Sequence, residues 1–243
     1  MYLGFVFAAI LALVHVVPID VEALTLIPRE KWFSFTGGVV SAYVVLDILP
    51  RLSQSQVGIH TGEMIAVSQV DISIYCLILV GILVFYGLEK LVWRSRQINH
   101  AQSAVDCTSP GILALHLGAF SVYIVGLNFL QIGYRFESLI IERSLLFTVL
   151  VLHFIVNNHW MLEHHKRAYR RIGRWVIVAV LLISAATPKL LLRDVMPFDH
   201  IWAFSGGVLL ASGLKEEISA KTNTCFWSFS FGVVIFSIVL LLL

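Results

Sequence analysis

Charged residues are scarce in this chain. Asp, Glu, Lys and Arg make up 13% of its 243 residues, whereas soluble domains carry about 25%. Hydrophobic residues make up 58% of the chain. This composition excludes an ordinary soluble domain and predicts a membrane protein. The formal net charge of +2 gives no reason to expect a nucleic-acid partner.

The chain also lacks the patterns of several other protein classes. Its three cysteines, Cys76, Cys107 and Cys225, form neither a CxxC pair nor a disulfide framework. No Ser-His-Asp arrangement or glycine-rich phosphate loop stands in a suitable context. The apolar runs are continuous rather than alternating, so no β pattern competes with helix. We therefore expect an all-α membrane protein that is not an enzyme.

Long apolar runs predict eight transmembrane helices in a single transmembrane domain, residues 1–243, because a helix needs about 20 apolar residues to cross the hydrocarbon core. Span one has no Lys or Arg before its apolar core, which favours a mature helix over a signal peptide. The predicted spans are residues 2–17, 33–50, 72–93, 110–131, 144–162, 174–192, 198–214 and 225–243.

Basic residues predict the orientation. With the N-terminus outside, the inner connections hold twelve Lys and Arg residues and the outer ones five. This excess favours both termini on the non-cytosolic side. The segment "HHKRAYRRIGR", residues 164–174, contributes most, and we interpret it as a topology signal rather than a nucleic-acid site. The outer five are Arg51, Arg135, Arg143, Lys189 and Arg193.

One phrase occurs twice. "FTGGVVSAYVVLDILP" begins at Phe35 and "FSGGVLLASGLKEEI" at Phe204, and in each copy an acidic residue, Asp47 or Glu216, follows twelve positions after the aromatic. The two copies fall in spans two and seven, which run in opposite directions. This arrangement predicts an inverted repeat of spans one to three and six to eight, as in many secondary transporters. Chance recurrence of Gly-Gly in apolar helices is the alternative.

Such a repeat leaves spans four and five as the central pair, and both carry polar residues. Span four reads "GILALHLGAFSVYIVGLNFLQ" and contains His116. Span five reads "SLLFTVLVLHFIVNNHWML" and contains His153, Asn157 and Asn158. Because His153 and Asn157 are four residues apart, they share one helix face.

These features together resemble the Zrt/Irt-like (ZIP) family of divalent-metal transporters. The resemblance lies in the order of eight spans, the small-residue spans two and seven, "GILVFYGLEKLVW" in span three, "LALH" in span four and "LH" in span five. The family's fourth helix resembles His-Asn-x-x-Asp/Glu-Gly and its fifth His-Glu-x-Pro-His-Glu, which together supply a two-metal site. The resemblance implies an eight-helix ZIP-like bundle and allows a homodimer or a membrane-protein complex in the lipid bilayer.

Position by position, His116 and His153 match the first histidines of these two motifs, and the other ligand positions differ. What remains is two imidazoles and two amides without a carboxylate. Neutral nitrogen and amide ligands suit zinc or iron(II) better than magnesium or calcium, which need several oxygen ligands. We therefore predict a weak zinc or iron(II) site at His116, His153 and Asn157. The departures are Leu117, Phe120, Phe154, Val156, Asn157 and Asn158.

Alternative interpretations stay open for these residues. In one alternative, His116 and His153 only join spans four and five by hydrogen bonds, and the chain is then a ZIP-fold subunit or regulator that does not transport. His15 and Asn128 are interpreted as packing residues. The stretch "HWMLEHH", residues 159–165, resembles one histidine box of a membrane di-iron desaturase, but such enzymes need several boxes. A cytosolic metal relay or a solvated helix end is favoured there.

Overall fold

The computed structural model describes residues 2–17, 27–57, 72–103, 108–133, 140–186, 198–218 and 224–242. Within these ranges every regular element is helical, which confirms the all-α prediction. Cys107 and the outer basic residues Arg135, Lys189 and Arg193 lie outside the described residues.

A helix lies at each of the eight positions where the sequence predicts a span. α2 contains a π-helical turn, Val44–Ile48, and a second such turn, Tyr169–Gly173, precedes α6. α3 extends ten residues beyond its predicted span because the polar sequence after Trp93 continues the helix. The helices are α1 Tyr2–Val16, α2 Arg29–Tyr43 continued by Val44–Ile48 and Leu49–Val57, α3 Ile72–Ser103, α4 Pro110–Gly133, α5 Ile140–Ala168, α6 Arg174–Ala186, α7 Phe198–Ile218 and α8 Phe226–Leu241.

Four of the described helical stretches are long and apolar enough to cross a membrane: Arg29–Ser53, Ile72–Gln102, Pro110–Asn128 and Arg143–Ala186. The last is interrupted at Lys166, near the end of α5, where a positive φ of 42° turns the chain before α6 begins. In the most apolar stretch of α3, only 17% of the residues are buried. An apolar helix with so much exposed surface suits lipid rather than water.

The helices group into two compact units. The first, which we call the histidine unit, comprises Met1–Asp20 and Tyr86–Arg193, and so contains α1, α4, α5, α6 and the second part of α3. The other, the glycine unit, comprises Val21–Phe85 and Asp194–Leu243, and contains α2, α7, α8 and the first part of α3.

Glycines allow the backbones of the glycine unit to approach closely. A Cβ atom on Gly38 would overlap the Phe229 carbonyl of α8, and one on Gly232 would overlap the Phe35 carbonyl of α2. The Ser228 hydroxyl also donates to the Lys31 carbonyl, at 2.8 Å. Since side chains provide little hydrophobic driving force between helices in lipid, such close contact is what holds them together.

The same kind of contact joins α3 and α7. A Cβ atom on Gly81 would overlap the Phe204 carbonyl, and one on Gly207 would overlap the Ile78 carbonyl. Glycines therefore sit at both crossings, and larger residues there would force the helices apart.

α2 and α7, which carry the doubled phrase, run in opposite directions. Gly37, early in α2, lies against Gly213, late in α7, while Gly206, early in α7, lies against Ile48 further along α2. Opposite directions are what an inverted repeat requires of this pair.

In the histidine unit, polar contacts join helices that lie far apart in the sequence. Asn128 of α4 donates from Nδ2 to the Leu181 carbonyl of α6 at 2.9 Å. Phe7 of α1 stacks on Phe147 of α5 with ring centroids 4.3 Å apart. Asn158 of α5 donates to the Val14 carbonyl at 3.2 Å. α1 and α5 therefore run in the same direction, since early residues meet early ones and late residues meet late ones.

Candidate functional site

His153 lies at the centre of a polar group in the histidine unit. Its Nε2 atom is 2.6 Å from Asn157 Nδ2 and 3.0 Å from the Tyr123 hydroxyl. An amide nitrogen can only donate, so Nε2 accepts, and the neutral ring carries its proton on Nδ1. His153 and Tyr123 are 3% and 2% exposed. The predicted sharing of one helix face by His153 and Asn157 is confirmed.

His116 pairs with another histidine. Its Nδ1 atom lies 2.9 Å from Nε2 of His165, and the two rings meet edge to face with centroids 5.1 Å apart. Both side chains are buried. When both rings are neutral, one of these two nitrogens carries a proton and donates it to the lone pair of the other. The Thr108 hydroxyl contacts the other nitrogen of His165.

A third contact lies at the same end of α5. Arg96 of α3 donates from its guanidinium to Nδ1 of His164 at 2.8 Å, and the His164 ring stacks on Trp160 at 5.4 Å. Since a guanidinium only donates, Nδ1 of His164 bears a lone pair. The "HWMLEHH" stretch therefore contributes two buried imidazoles, rather than the solvated helix end that was one prediction.

His15 joins a further hydrogen-bonded chain. The Tyr169 hydroxyl donates to Asn158 Oδ1 at 2.9 Å, and His15 Nδ1 lies 3.0 Å from the same hydroxyl. The Asn158 amide in turn donates to the backbone of α1. All three side chains are at most 4% exposed. This network joins α1 to α5 and to the π-helical turn Tyr169–Gly173, where the chain reverses direction.

Two of the described acidic residues, Glu163 and Asp47, pair with other residues than the buried histidines. Glu163 is 3.4 Å from His159 on the exposed side of α5. Asp47, of the doubled phrase, forms an ion pair with Arg51 at 2.8 Å within the glycine unit. Within the described ranges, no group of three or more His, Cys, Asp and Glu residues is arranged to hold a metal ion. A site in the histidine unit would therefore use imidazole, amide and phenol ligands.

Sequence reasoning identified some of these residues and missed others. It selected His116, His153 and Asn157, and the structure joins the last two directly and gives His116 a second imidazole, His165. It missed Tyr123, although Tyr123 lies seven residues after His116 and so on the same face of α4. It assigned His15 to packing, which the buried contacts with Phe120 and Phe154 bear out, but nothing in the local sequence indicates its hydrogen-bond partner 154 residues away.

Comparison of the chain with protein-family models, with curated proteins and with solved structures gave no match.

Proposed function

We propose that this protein is a ZIP-like integral membrane protein that binds a transition-metal cation, zinc or iron(II), through His116, His153 and Asn157. The observation that carries this proposal is the convergence of Asn157 and Tyr123 on the Nε2 lone pair of His153, inside an apolar helical bundle. A borderline metal ion bound to this imidazole would replace the two hydrogen bonds at Nε2, and the Asn157 amide would have to turn its oxygen toward the ion, because an amide nitrogen only donates.

The layout of the helices supports the ZIP-like part of the proposal. The glycine unit combines α2 with α7 and part of α3 with α8, while the histidine unit combines α1 with α6 and α4 with α5. Helices that the proposed repeat relates to each other, α1 with α6, α2 with α7 and the first part of α3 with α8, therefore belong to the same unit. The contacts also correspond: Gly38 and Gly207 occupy equal positions in the doubled phrase, and each meets a carbonyl of its neighbour.

Electrostatics limits how well such a site could transport. A divalent cation in a low-dielectric interior needs negative charge or many polar ligands nearby. Imidazole and amide groups supply ligands without counter-charge. We therefore propose weak binding, with slow or absent transport.

The second candidate is a ZIP-fold subunit or regulator that does not transport. The observation that favours it is the pairing of His116 with His165 and of His153 with Tyr123 and Asn157. Hydrogen bonds of this kind join helices and need no ion. The partner would be a second copy of this chain or another membrane protein, and both termini would lie on the non-cytosolic side.

Zinc binding and uptake by purified protein in liposomes separate the two candidates. In the metal-binding case, replacing His116 and His153 by Ala removes bound zinc while the protein remains helical by circular dichroism. In the structural case, the same double variant loses stability and leaves bound zinc unchanged. Wild-type protein that binds no more zinc than the double variant would contradict the first proposal.

A further inference from the structure

α3 continues well beyond the span that the sequence predicts for it. The predicted span ends at Trp93, and the helix continues as a polar segment to Ser103. At about 1.5 Å per residue, residues 72–93 are about 33 Å long, close to the thickness of the hydrocarbon core, about 30 Å. Trp93 is 47% exposed, and tryptophan is enriched at the membrane–water interface. When α3 crosses the membrane, the turns after Trp93 therefore lie at the depth of the lipid headgroups.

This polar segment carries a pocket of about 550 Å³ that opens to the surface, which we call the α3 pocket. Its volume falls within roughly 300–1,000 Å³, the range of small-molecule sites. The spacing of the described residues that line it places them on one face of the helix. None of them is acidic, and one is an arginine. They are Trp93, Arg96, Gln97, His100 and Ala101.

Neighbouring elements hold Arg96 in position. Its guanidinium donates to Nδ1 of His164 in α5 at 2.8 Å. Beside it, the Ser109 backbone N–H, at the start of α4, donates to the Ser95 hydroxyl at 2.9 Å. A guanidinium has five N–H donors in a planar fork, enough to bind His164 and a phosphate group together. A charged side chain whose position is already fixed loses little conformational freedom when it binds an anion.

Further basic residues lie at the same end of the histidine unit. Arg94 is exposed on α3, and Lys166 and Arg167 come directly after the two histidines at the end of α5. Glu163, which precedes those histidines, pairs with His159. Together with the arginine of the α3 pocket, these basic residues form a cluster of the size, about four to eight Lys and Arg residues, that attracts anionic lipids at the end of a transmembrane helix.

We propose that the α3 pocket binds the phosphate headgroup of an anionic phospholipid. The Arg96 guanidinium contacts the phosphate, and Gln97 and His100 provide further N–H donors. Trp93 packs against the upper part of the acyl chains. In the proposed orientation the pocket faces the cytosolic leaflet, where anionic lipids concentrate. The inference goes beyond the metal-binding function and does not rest on it.

Competition for a labelled lipid tests the inference. Purified full-length protein in detergent binds phosphatidylglycerol that carries a fluorophore on one acyl chain, and fluorescence anisotropy reports the bound fraction. Unlabelled phosphatidylglycerol, phosphatidylcholine and inorganic phosphate are the competitors. We expect phosphatidylglycerol to displace the label and phosphatidylcholine to do so at least about fivefold less well, because its headgroup has no net charge. Inorganic phosphate that competes as well as phosphatidylglycerol would show a small-anion site and contradict the lipid assignment.

Two arginine variants separate the pocket from general attraction to positive charge. Arg96→Gln and Arg94→Gln remove the same charge, and of the two only Arg96 is among the described residues that line the α3 pocket. We expect Arg96→Gln to weaken phosphatidylglycerol binding by at least about fivefold, the contribution of one basic residue near an anionic surface. Arg94→Gln should bind as the wild type does. Equal losses in the two variants would contradict a site at the pocket.

A second pair of variants covers the case in which Arg96→Gln does not fold, since that change also removes the contact with His164. His100 and Ile98 are both exposed near the end of α3, and of the two only His100 is among the described lining residues. His100→Glu places a carboxylate at the pocket and should weaken phosphatidylglycerol binding by at least about fivefold. Ile98→Glu adds the same charge and should not. Unchanged binding in His100→Glu, or an equal loss in Ile98→Glu, would overturn the inference.

Discussion

Single polar side chains carry much of the specificity within the histidine unit. Asn128 of α4 is 2% exposed and donates to both the Leu181 carbonyl and the Ser184 hydroxyl of α6. In an apolar environment, the amide hydrogens of Asn128 would find few other hydrogen-bond acceptors. Each such contact between membrane helices contributes about 0.6–2 kcal/mol. This fits the sequence-based interpretation of Asn128 as a packing residue.

Replacing Asn128 by Ala should therefore lower the free energy of unfolding by about 1–4 kcal/mol. The reason is the loss of two interhelical hydrogen bonds to α6. The control is Ser121→Ala, because among the described residues the Ser121 hydroxyl bonds only to the Leu117 carbonyl of its own helix. Unfolding of both variants in mixed micelles tests this, and equal stability of the two would show that the Asn128 contacts contribute nothing.

At the scale of the helices, glycines determine how closely the elements of the glycine unit approach. Gly38 faces the Phe229 carbonyl and Gly207 faces the Ile78 carbonyl, and a backbone oxygen cannot rotate away as a side chain would. The helices must separate to admit a methyl group. Overpacking of this kind costs about 1–3 kcal/mol.

We expect Gly38→Ala and Gly207→Ala each to destabilise the protein by about 1–3 kcal/mol. Gly87→Ala is the matched control, since a Cβ atom there meets no atom of the described residues within 4 Å and Ala favours helix over Gly. Thermal unfolding in detergent compares the three. A Gly38→Ala protein as stable as Gly87→Ala would show that the close approach is not required.

The positions of the helices could be predicted from the sequence, and their partners could not. Apolar runs locate helices because each run is local, whereas helix ends depend on polar residues such as those that extend α3 to Ser103. His153 and Asn157 were paired correctly because they share a turn of α5. His116 and His165 are 49 residues apart, and only the packing of α4 on α5 brings them together.

At the scale of the whole molecule, the proposed orientation in the membrane rests on the distribution of basic residues. The chain reversal between α5 and α6 carries the densest basic segment, and the positive-inside rule predicts that this segment faces the cytosol. Tyr169 within this segment is fully buried, so a label there would report burial rather than sidedness. Ile172 is 59% exposed and bears no charge, which makes it a suitable probe position.

A cysteine at Ile172, in a protein whose own cysteines are replaced by Ser, should be protected from an impermeant maleimide in intact cells and react after permeabilisation. Because Ile172→Cys leaves every Lys and Arg in place, the substitution does not alter the topology signal. Labelling in intact cells would reverse the proposed orientation of both termini.

Anomalous scattering from crystals soaked in zinc tests the central claim most directly. We predict a zinc peak in the histidine unit about 2.0–2.1 Å from an imidazole nitrogen of His153. Data collected on both sides of the zinc absorption edge identify the element. Zinc found only at exposed histidines such as His100, with no peak beside His153, would contradict the metal-binding account and favour the structural alternative.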